Sequence, residues 1–303
     1  DKFEYLHPVG DLQTTDLEQS MNKETYSISK LDSDYWTLSD QKTENIKNKM
    51  ESAAEYKLEE ISTIVKSMET GKNSVYTINE KEAKEYEIEK DILEDLAKNS
   101  SIKRYHIEDL DKKVIWAHGI NLDDYPHTKK YLEKYKDELG DRYDIRSSNR
   151  EWWEISNPRN IELFEDDRPR ILVPYIANQN KFAVDQKRRL NDGGDIRAIF
   201  PEEDINEYSL CASLNSSLLE YYHKNVAKRK SGGAYEYYKS ALKNLPILLS
   251  RELIGPAKKQ KRKYKAKQSF NLSIMDYLGS SADSPDGKSL GEMYMPVEGL
   301  SDS

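Results

Sequence analysis

The stretch 151–185 constrains this chain more than any other. It opens on Glu151-Trp152-Trp153-Glu154 and reaches Arg168-Pro169-Arg170-Ile171-Leu172-Val173-Pro174-Tyr175-Ile176. Two of the four tryptophans stand side by side, so a large apolar area is concentrated just ahead of an aliphatic run that reads as a strand. A tryptophan pair beside basic residues suits two jobs. It can anchor a core, or it can offer an aromatic face to a base or a cation.

Hydrophobic residues make up 36% of the 303 positions and charged ones 34%, which describes a polar chain with a modest core. Tyrosine outnumbers phenylalanine 21 to 5, favouring half-buried or ligand-facing rings. No apolar run approaches the roughly 20 residues of a membrane helix, so no membrane role is expected. No signal-peptide pattern opens the chain, and a start at Asp1 without Met suggests a piece of a longer protein. Cys211 is the lone cysteine, which rules out an internal disulfide and favours a cytoplasmic setting; its apolar neighbours predict packing rather than nucleophilic chemistry. A net charge of −8 argues against a uniformly basic nucleic-acid binder, yet leaves room for a local basic face.

Residues 1–50 read as a loosely structured linker that leads into the body. Tyr35-Trp36-Thr37-Leu38 is its anchor, and Ser39 or Asp40 caps a helix rich in Lys, Glu and Asn. Residues 51–205 form the main α+β region. Val75-Tyr76-Thr77-Ile78 reads as a strand and 84–98 as a helix carrying Ile88, Ile92, Leu93 and Leu96 on one face. Ile102-Lys103-Arg104-Tyr105-His106-Ile107 and Val114-Ile115-Trp116-Ala117 are expected to pair as strands across 109–112. A helix follows Pro126, with Tyr131, Leu132, Tyr135 and Leu139 in a stripe and Gly140 at its end. Asn191-Asp192-Gly193-Gly194 signals a turn. Residues 206–255 form a helical segment: one long helix over 206–224, the loop Lys228-Arg229-Lys230-Ser231-Gly232-Gly233, and a second helix ending before Pro246. Residues 256–303 are a basic run (258–267) followed by a flexible Ser/Asp/Gly-rich tail from Ser280.

Catalytic signatures are missing. There is no phosphate-binding glycine loop, no nucleophile elbow, and the five histidines lack ligand spacing, so no catalytic or metal residue is assigned. Asp185-Gln186-Lys187, with Asp166 or Asp167 as partner, resembles half of a nuclease motif, but such tripeptides are common by chance. Basic and aromatic positions at predicted turns are more informative. They are Lys72-Asn73, Lys103-Arg104-Tyr105, Trp152-Trp153, Lys187-Arg188-Arg189 and Lys228-Arg229-Lys230 with Gly232. Lys and Arg there suit phosphates, and Asn, Arg and Tyr suit base edges.

The order of these pieces resembles the TaqI-like C-terminal specificity domain of adenine-specific DNA methyltransferases and of fused restriction–modification enzymes. The resemblance runs through Tyr35-Trp36-Thr37-Leu38, Thr70-Gly71-Lys72-Asn73, Ile102-Lys103-Arg104-Tyr105, Tyr125-Pro126, Arg150-Glu151-Trp152-Trp153-Glu154 and Pro169-Arg170-Ile171. It continues with Phe182-Ala183-Val184-Asp185, Leu214-Asn215-Ser216, Ser231-Gly232-Gly233 and Leu245-Pro246-Ile247. It implies a target-recognition domain that reads double-stranded DNA while an upstream methyltransferase domain, using S-adenosylmethionine, flips and methylates an adenine. The Asn-Pro-Pro-Tyr-type motif and the glycine loop for that cofactor are not in this sequence; Asn157-Pro158-Arg159 departs from the motif. The chain is therefore expected to hold no cofactor and to be the non-catalytic part. The fold expected is α+β: a mixed twisted sheet with flanking helices plus a C-terminal helical segment. The rival reading is a protein–protein docking module of a restriction–modification or related defence complex.

Overall fold

The aliphatic run becomes the strand Arg170–Pro174, and all five of its residues are buried. It lies at the centre of a four-stranded antiparallel sheet in the order Ala183–Asp185, Arg170–Pro174, Ile196–Pro201, Ser62–Val65. Ile171 faces Val184 on one side and Ile199 on the other. With neighbours on both edges and cover on both faces, the strand is apolar from Ile171 to Pro174 and reads as a run rather than an alternation; its first residue, the buried Arg170, is the exception and lies near Asp185. A second four-stranded sheet has the order Leu190–Asn191, Leu93–Ala97, Lys113–Ile115, Thr77–Ile78, and its first pair is parallel. The α+β, mixed-sheet expectation holds.

The computed structural model describes residues 2–8, 21–27, 41–166 and 168–249, in two units, Asp1–Ala53 and Ala54–Ser303. In the first unit, Lys2–Pro8 and Met21–Ser27 pair as an antiparallel ribbon, which corrects the loosely structured reading there, while Gln41–Ala53 is the helix expected after Asp40. The Tyr35–Leu38 anchor, the Ser39 and Asp40 caps, the 258–267 basic run and the tail lie outside the described residues.

In the second unit the core joins Tyr76, Ile115, Leu132, Leu172, Ile196 and Phe200. Each such side chain contributes about 1.5–3 kcal/mol by leaving water. Several local expectations give way to this packing. Val75 and Tyr76 belong to the helical turn Asn73–Tyr76 rather than a strand. The 84–98 helix is replaced by Glu80–Glu85, started by the capping box of Asn79 and Glu82, and by the strand Leu93–Ala97. Glu87 takes a left-handed φ of 55°, which ends the helix. Ile102–Lys103 and His106–Ile107 fold on each other as a hairpin, and Lys113–Ile115 pairs with Thr77–Ile78 and Leu93–Ala97 instead. The helix after Pro126 breaks into Pro126–Glu133 and Lys136–Gly140.

The single helix over 206–224 divides into Glu207–Leu214 and Ser217–Val226. Ser216 caps the second, accepting from the Leu219 amide at 3.2 Å. Asn215 instead clips Phe182, accepting from its amide at 3.0 Å and donating to its carbonyl at 2.7 Å. Two satisfied buried hydrogen bonds to a strand outweigh one more turn of helix. The second expected helix is reduced to Lys239–Leu242, preceded by the strand Tyr235–Glu236.

His223 lies fully buried in the Ser217–Val226 helix, its ring stacked on Tyr237 at 4.2 Å and 25°. Burial pushes its pKa from 6.5 down to about 4. The unfolded chain therefore binds a proton between these values that the folded chain refuses. This contribution to stability is present above about pH 6.5 and lost as the pH falls toward about 4, roughly 3 kcal/mol in all. The melting temperature is expected to drop more from about pH 7 to about pH 5 in the wild type than in His223→Phe. Parallel drops in the two proteins would refute this account.

Candidate nucleic-acid interface

Residues 228–236 fold into an exposed hairpin. The Lys230 amide donates to the Ala234 carbonyl at 2.8 Å and the Glu236 amide to the Lys228 carbonyl at 3.0 Å. Its tip is Ser231-Gly232-Gly233, with φ of 72° and 73° at the glycines, a left-handed pair that side chains seldom tolerate. Tyr235–Glu236 pairs with Ile176–Ala177, which docks the hairpin against the end of the central stretch. Lys228 and Arg229 are exposed. The Arg229 guanidinium lies 5.9 Å from the Tyr235 ring, and among the described residues it has no carboxylate partner. Lys230 pairs with the buried Glu236, which also accepts from the Tyr175 hydroxyl at 3.3 Å.

Two chains of polar contacts run from this hairpin to the other predicted positions. The first passes through Tyr175 and Tyr238, whose rings sit 4.6 Å apart and flank the Arg197 guanidinium at 5.0 and 5.5 Å. Arg197 donates to the Gly193 carbonyl at 2.7 Å, at the Asn191–Gly194 turn. There the Asn73 amide donates to Asp192 at 2.5 Å and accepts from the Thr70 hydroxyl at 2.6 Å. Gly71 permits this tight loop: its φ is 79°, and a Cβ there would meet Arg142 and Ser156 at 2.7 Å. Lys72 pairs with Glu138. Two residues of the Thr-Gly-Lys-Asn motif thus take different partners: the exposed Asn73 bonds the turn at Asp192, and the half-buried Lys72 pairs with Glu138.

The second chain passes through Glu220. Its carboxylate takes Lys224 at 2.7 Å and Arg104, and Lys224 lies 6.0 Å from the Tyr235 ring. Arg104 also donates to the Asn180 carbonyl at 3.2 Å. Tyr105 follows in a left-handed conformation with φ of 69°, its amide bonded to the Phe182 carbonyl. Its hydroxyl is buried, and burial pushes its pKa upward. Lys103 is exposed beside Glu108 at 3.4 Å.

Lys187, Arg188 and Arg189 differ sharply. Lys187 is exposed and donates to Asp109 at 2.6 Å, and Arg188 donates to the Glu165 carbonyl at 2.7 Å. Arg189 is buried and bonded to both Asp109 and Asp185. Hydrogen bonds from Lys187 and Arg189 hold Asp109 down at about 2. Asp185 is buried and accepts from the Arg189 amide and guanidinium at 2.7 and 2.8 Å. Arg170, fully buried between the Phe164 and Phe200 rings, approaches it at 3.8 Å. Asp166 pairs with Arg168 at 2.7 Å. Among the described residues, no three His, Cys, Asp or Glu side chains gather as a metal site, and no helix is long and apolar enough to cross a membrane.

Trp152 and Trp153 meet edge to face at 5.6 Å and 89°, half-buried against the core. The Trp153 carbonyl accepts from the Tyr76 hydroxyl at 2.8 Å, and Lys136 lies 5.5 Å from the Trp152 ring. Both rings act as anchors in this structure. Tyr175, Arg197, Tyr238 and Glu220 were not singled out from the sequence. The abundance of tyrosine is the only sequence signal that bears on them, because their partners lie tens of residues away.

Residues 98–247 match the profile of the TaqI-like C-terminal specificity domain. The chain is 26% identical over 201 residues to the type II methyltransferase M.MjaIV of Methanocaldococcus jannaschii, across 63% of this chain and 66% of that protein. It is 25% identical over 147 residues to the type II methyltransferase M.BanIII of Aneurinibacillus aneurinilyticus, across 45% of this chain and 25% of that protein. It thus spans less than two thirds of either relative's length. The type IIL restriction-modification enzyme MmeI, solved in complex with DNA, shares the fold with a TM-score of 0.50 at 10% identity, over 75% of this chain and 34% of that one.

Proposed function

We propose that this chain, whose residues 98–247 match the TaqI-like C-terminal specificity domain, is the DNA target-recognition part of an adenine-specific, S-adenosylmethionine-dependent DNA methyltransferase of a restriction–modification system, working in the cytoplasm. The observation that carries this reading is the 228–236 hairpin, an exposed, tightly turned element inside the matched segment that offers Lys228 and Arg229 beside a tyrosine face. Its partners are double-stranded DNA and a methyltransferase domain, in the same polypeptide or in another subunit. On this reading Lys72, Lys103, Lys187, Arg188, Lys228, Arg229 and Lys230 meet phosphates or base edges, and Gly232 lets the tip approach the duplex closely. Asn73, Arg104, Tyr105, Arg189, Trp152 and Trp153 act behind them, fixing the loops that carry the contacts.

The backbone of Asn157, in the tripeptide nearest to the methyltransferase motif, bridges that of Glu69, its amide donating at 2.8 Å and its carbonyl accepting at 2.9 Å. We assign S-adenosylmethionine to the partner domain. The docking-module alternative needs a free helical face, yet residues 209–214 are all buried.

The test is titration of the 303-residue chain with a labelled DNA duplex across a salt series. The expected result is a fall of log affinity with log salt whose slope reflects several phosphate contacts. Salt-independent binding, or none, would count against the reading. Arg104→Ala should weaken duplex binding and modestly lower the melting temperature together, because Glu220 and the Asn180 carbonyl lose the guanidinium and Lys224 alone remains as the cation on Glu220. Unchanged affinity would remove Arg104 from the assignment.

A further inference from the structure

The most exposed large aromatic among the described residues is not in any predicted site. Tyr143 is 79% exposed, at the start of the short helix Tyr143–Arg146. Its exposure is not the looseness of a surface loop, because two arginines clamp the backbone on either side. Arg142 donates to the carbonyls of Leu139 at 3.0 Å, Thr70 at 2.9 Å and Glu154 at 2.5 Å. Arg150 donates to the carbonyls of Ile155 and Ser156 and pairs with Glu154 at 3.0 Å. Ile145 is buried beneath, and the Ser147 and Ser148 hydroxyls donate back to the Tyr143 and Asp144 carbonyls. What this rigid frame presents to solvent is a tyrosine ring, the Arg146 guanidinium and the Asn149 amide. Arg146 is held only by an exposed ion pair with Asp141 at 3.3 Å, a pair of little net worth in water.

A single exposed ring requires no partner by itself; what marks this one is its place on a backbone held by Arg142 and Arg150, beside the exposed Arg146 and Asn149. The site is continuous with the proposed interface. Arg142, the neighbour of Tyr143, bonds the Thr70 carbonyl, and Thr70 in turn bonds Asn73. The exposed set suits nucleic acid: an aromatic face for a base, a guanidinium for phosphate, an amide for an edge. Asp144 is taken by Arg150 and Glu138 by Lys72, so these neighbouring carboxylates are neutralised; Asp137 is not. We propose that Tyr143 is a second DNA contact, stacking on a base unstacked in the bound duplex, with Arg146 on the adjoining phosphate. This rests on the target-recognition reading above.

The test uses the full chain and a duplex carrying 2-aminopurine, whose fluorescence rises on unstacking. Tyr143→Ala should lose about fivefold to a hundredfold in affinity and most of the fluorescence change. Its salt slope and melting temperature should stay at the wild-type values, since no charge and little burial are removed. Tyr143→Phe should behave as wild type. If the wild type binds and Tyr143→Ala binds equally well, the inference is wrong and the recognition reading stands. Retained DNA binding with weakened association to a methyltransferase subunit would likewise overturn it in favour of a protein contact. Absence of duplex binding by the wild type would remove both.

Discussion

Asp185→Ala is expected to destabilise the protein by about 3–5 kcal/mol, with the melting temperature falling by roughly 10 °C. The reason is what the carboxylate leaves behind. Arg170 is fully buried between two phenylalanine rings, and its nearest carboxylate is Asp185. Burial already lowers the Arg170 pKa, with Asp185 opposing that shift. Removing Asp185 strands this charge and also frees the amides of Lys187 and Arg189, which it accepts at 3.2 and 2.7 Å. Urea denaturation of wild type, Asp185→Ala, Arg170→Met and the double variant gives the coupling directly. The double variant should recover part of the loss, because an apolar pair of similar volume costs less than one orphaned charge. A single-variant loss under about 1 kcal/mol would show that the pair does not hold the sheet. The same geometry explains why Asp185-Gln186-Lys187 is a structural element here: its carboxylate faces inward to two arginines.

Lys228→Ala/Arg229→Ala is expected to weaken duplex binding by tenfold to a hundredfold at roughly 0.1 M salt, and to reduce the salt slope by about 2. Both side chains are exposed, and neither has a carboxylate partner among the described residues. Stability should therefore change little. Lys230 is deliberately spared, because its loss would leave the buried Glu236 without its cation and confuse folding with binding. Lys84→Ala serves as control: its side chain is 81% exposed, outside the matched segment, and beside Glu80. If the control and the double variant lose affinity equally, the hairpin has no special part in recognition and binding is merely electrostatic. If the slope falls but discrimination among duplex sequences is kept, the two residues grip phosphates and the base readers lie elsewhere.

Much of the candidate site was legible as positions but not as roles. Lys72, Asn73, Arg104 and Arg189 look alike in the sequence, each a polar residue at a turn. In the structure Asn73 bonds Asp192 across 119 positions, and Arg104 bonds Glu220 across 116. No local pattern carries pairings of that span. Tyr143 has no sequence signature at all, since exposure is a property of what fails to pack on a residue.

The sequence by itself determined where the buried strand lies, because 171–174 can bury its apolar side chains only when covered on both faces. It also determined the turn at Ser231-Gly232-Gly233, where only glycine accepts consecutive left-handed dihedrals at no steric cost. The ordered motifs pointed to the TaqI-like C-terminal specificity domain, whose profile matches residues 98–247. The tertiary structure decided the rest. It ended the expected helices at 87 and 215, where left-handed backbone and side-chain clips to a strand outcompeted one further helical turn. It turned the tryptophan pair of the central stretch into anchors. It also sorted the cations into those facing water and those holding carboxylates inside. Desolvation and long-range pairing set that division, and both depend on neighbours brought together only by folding.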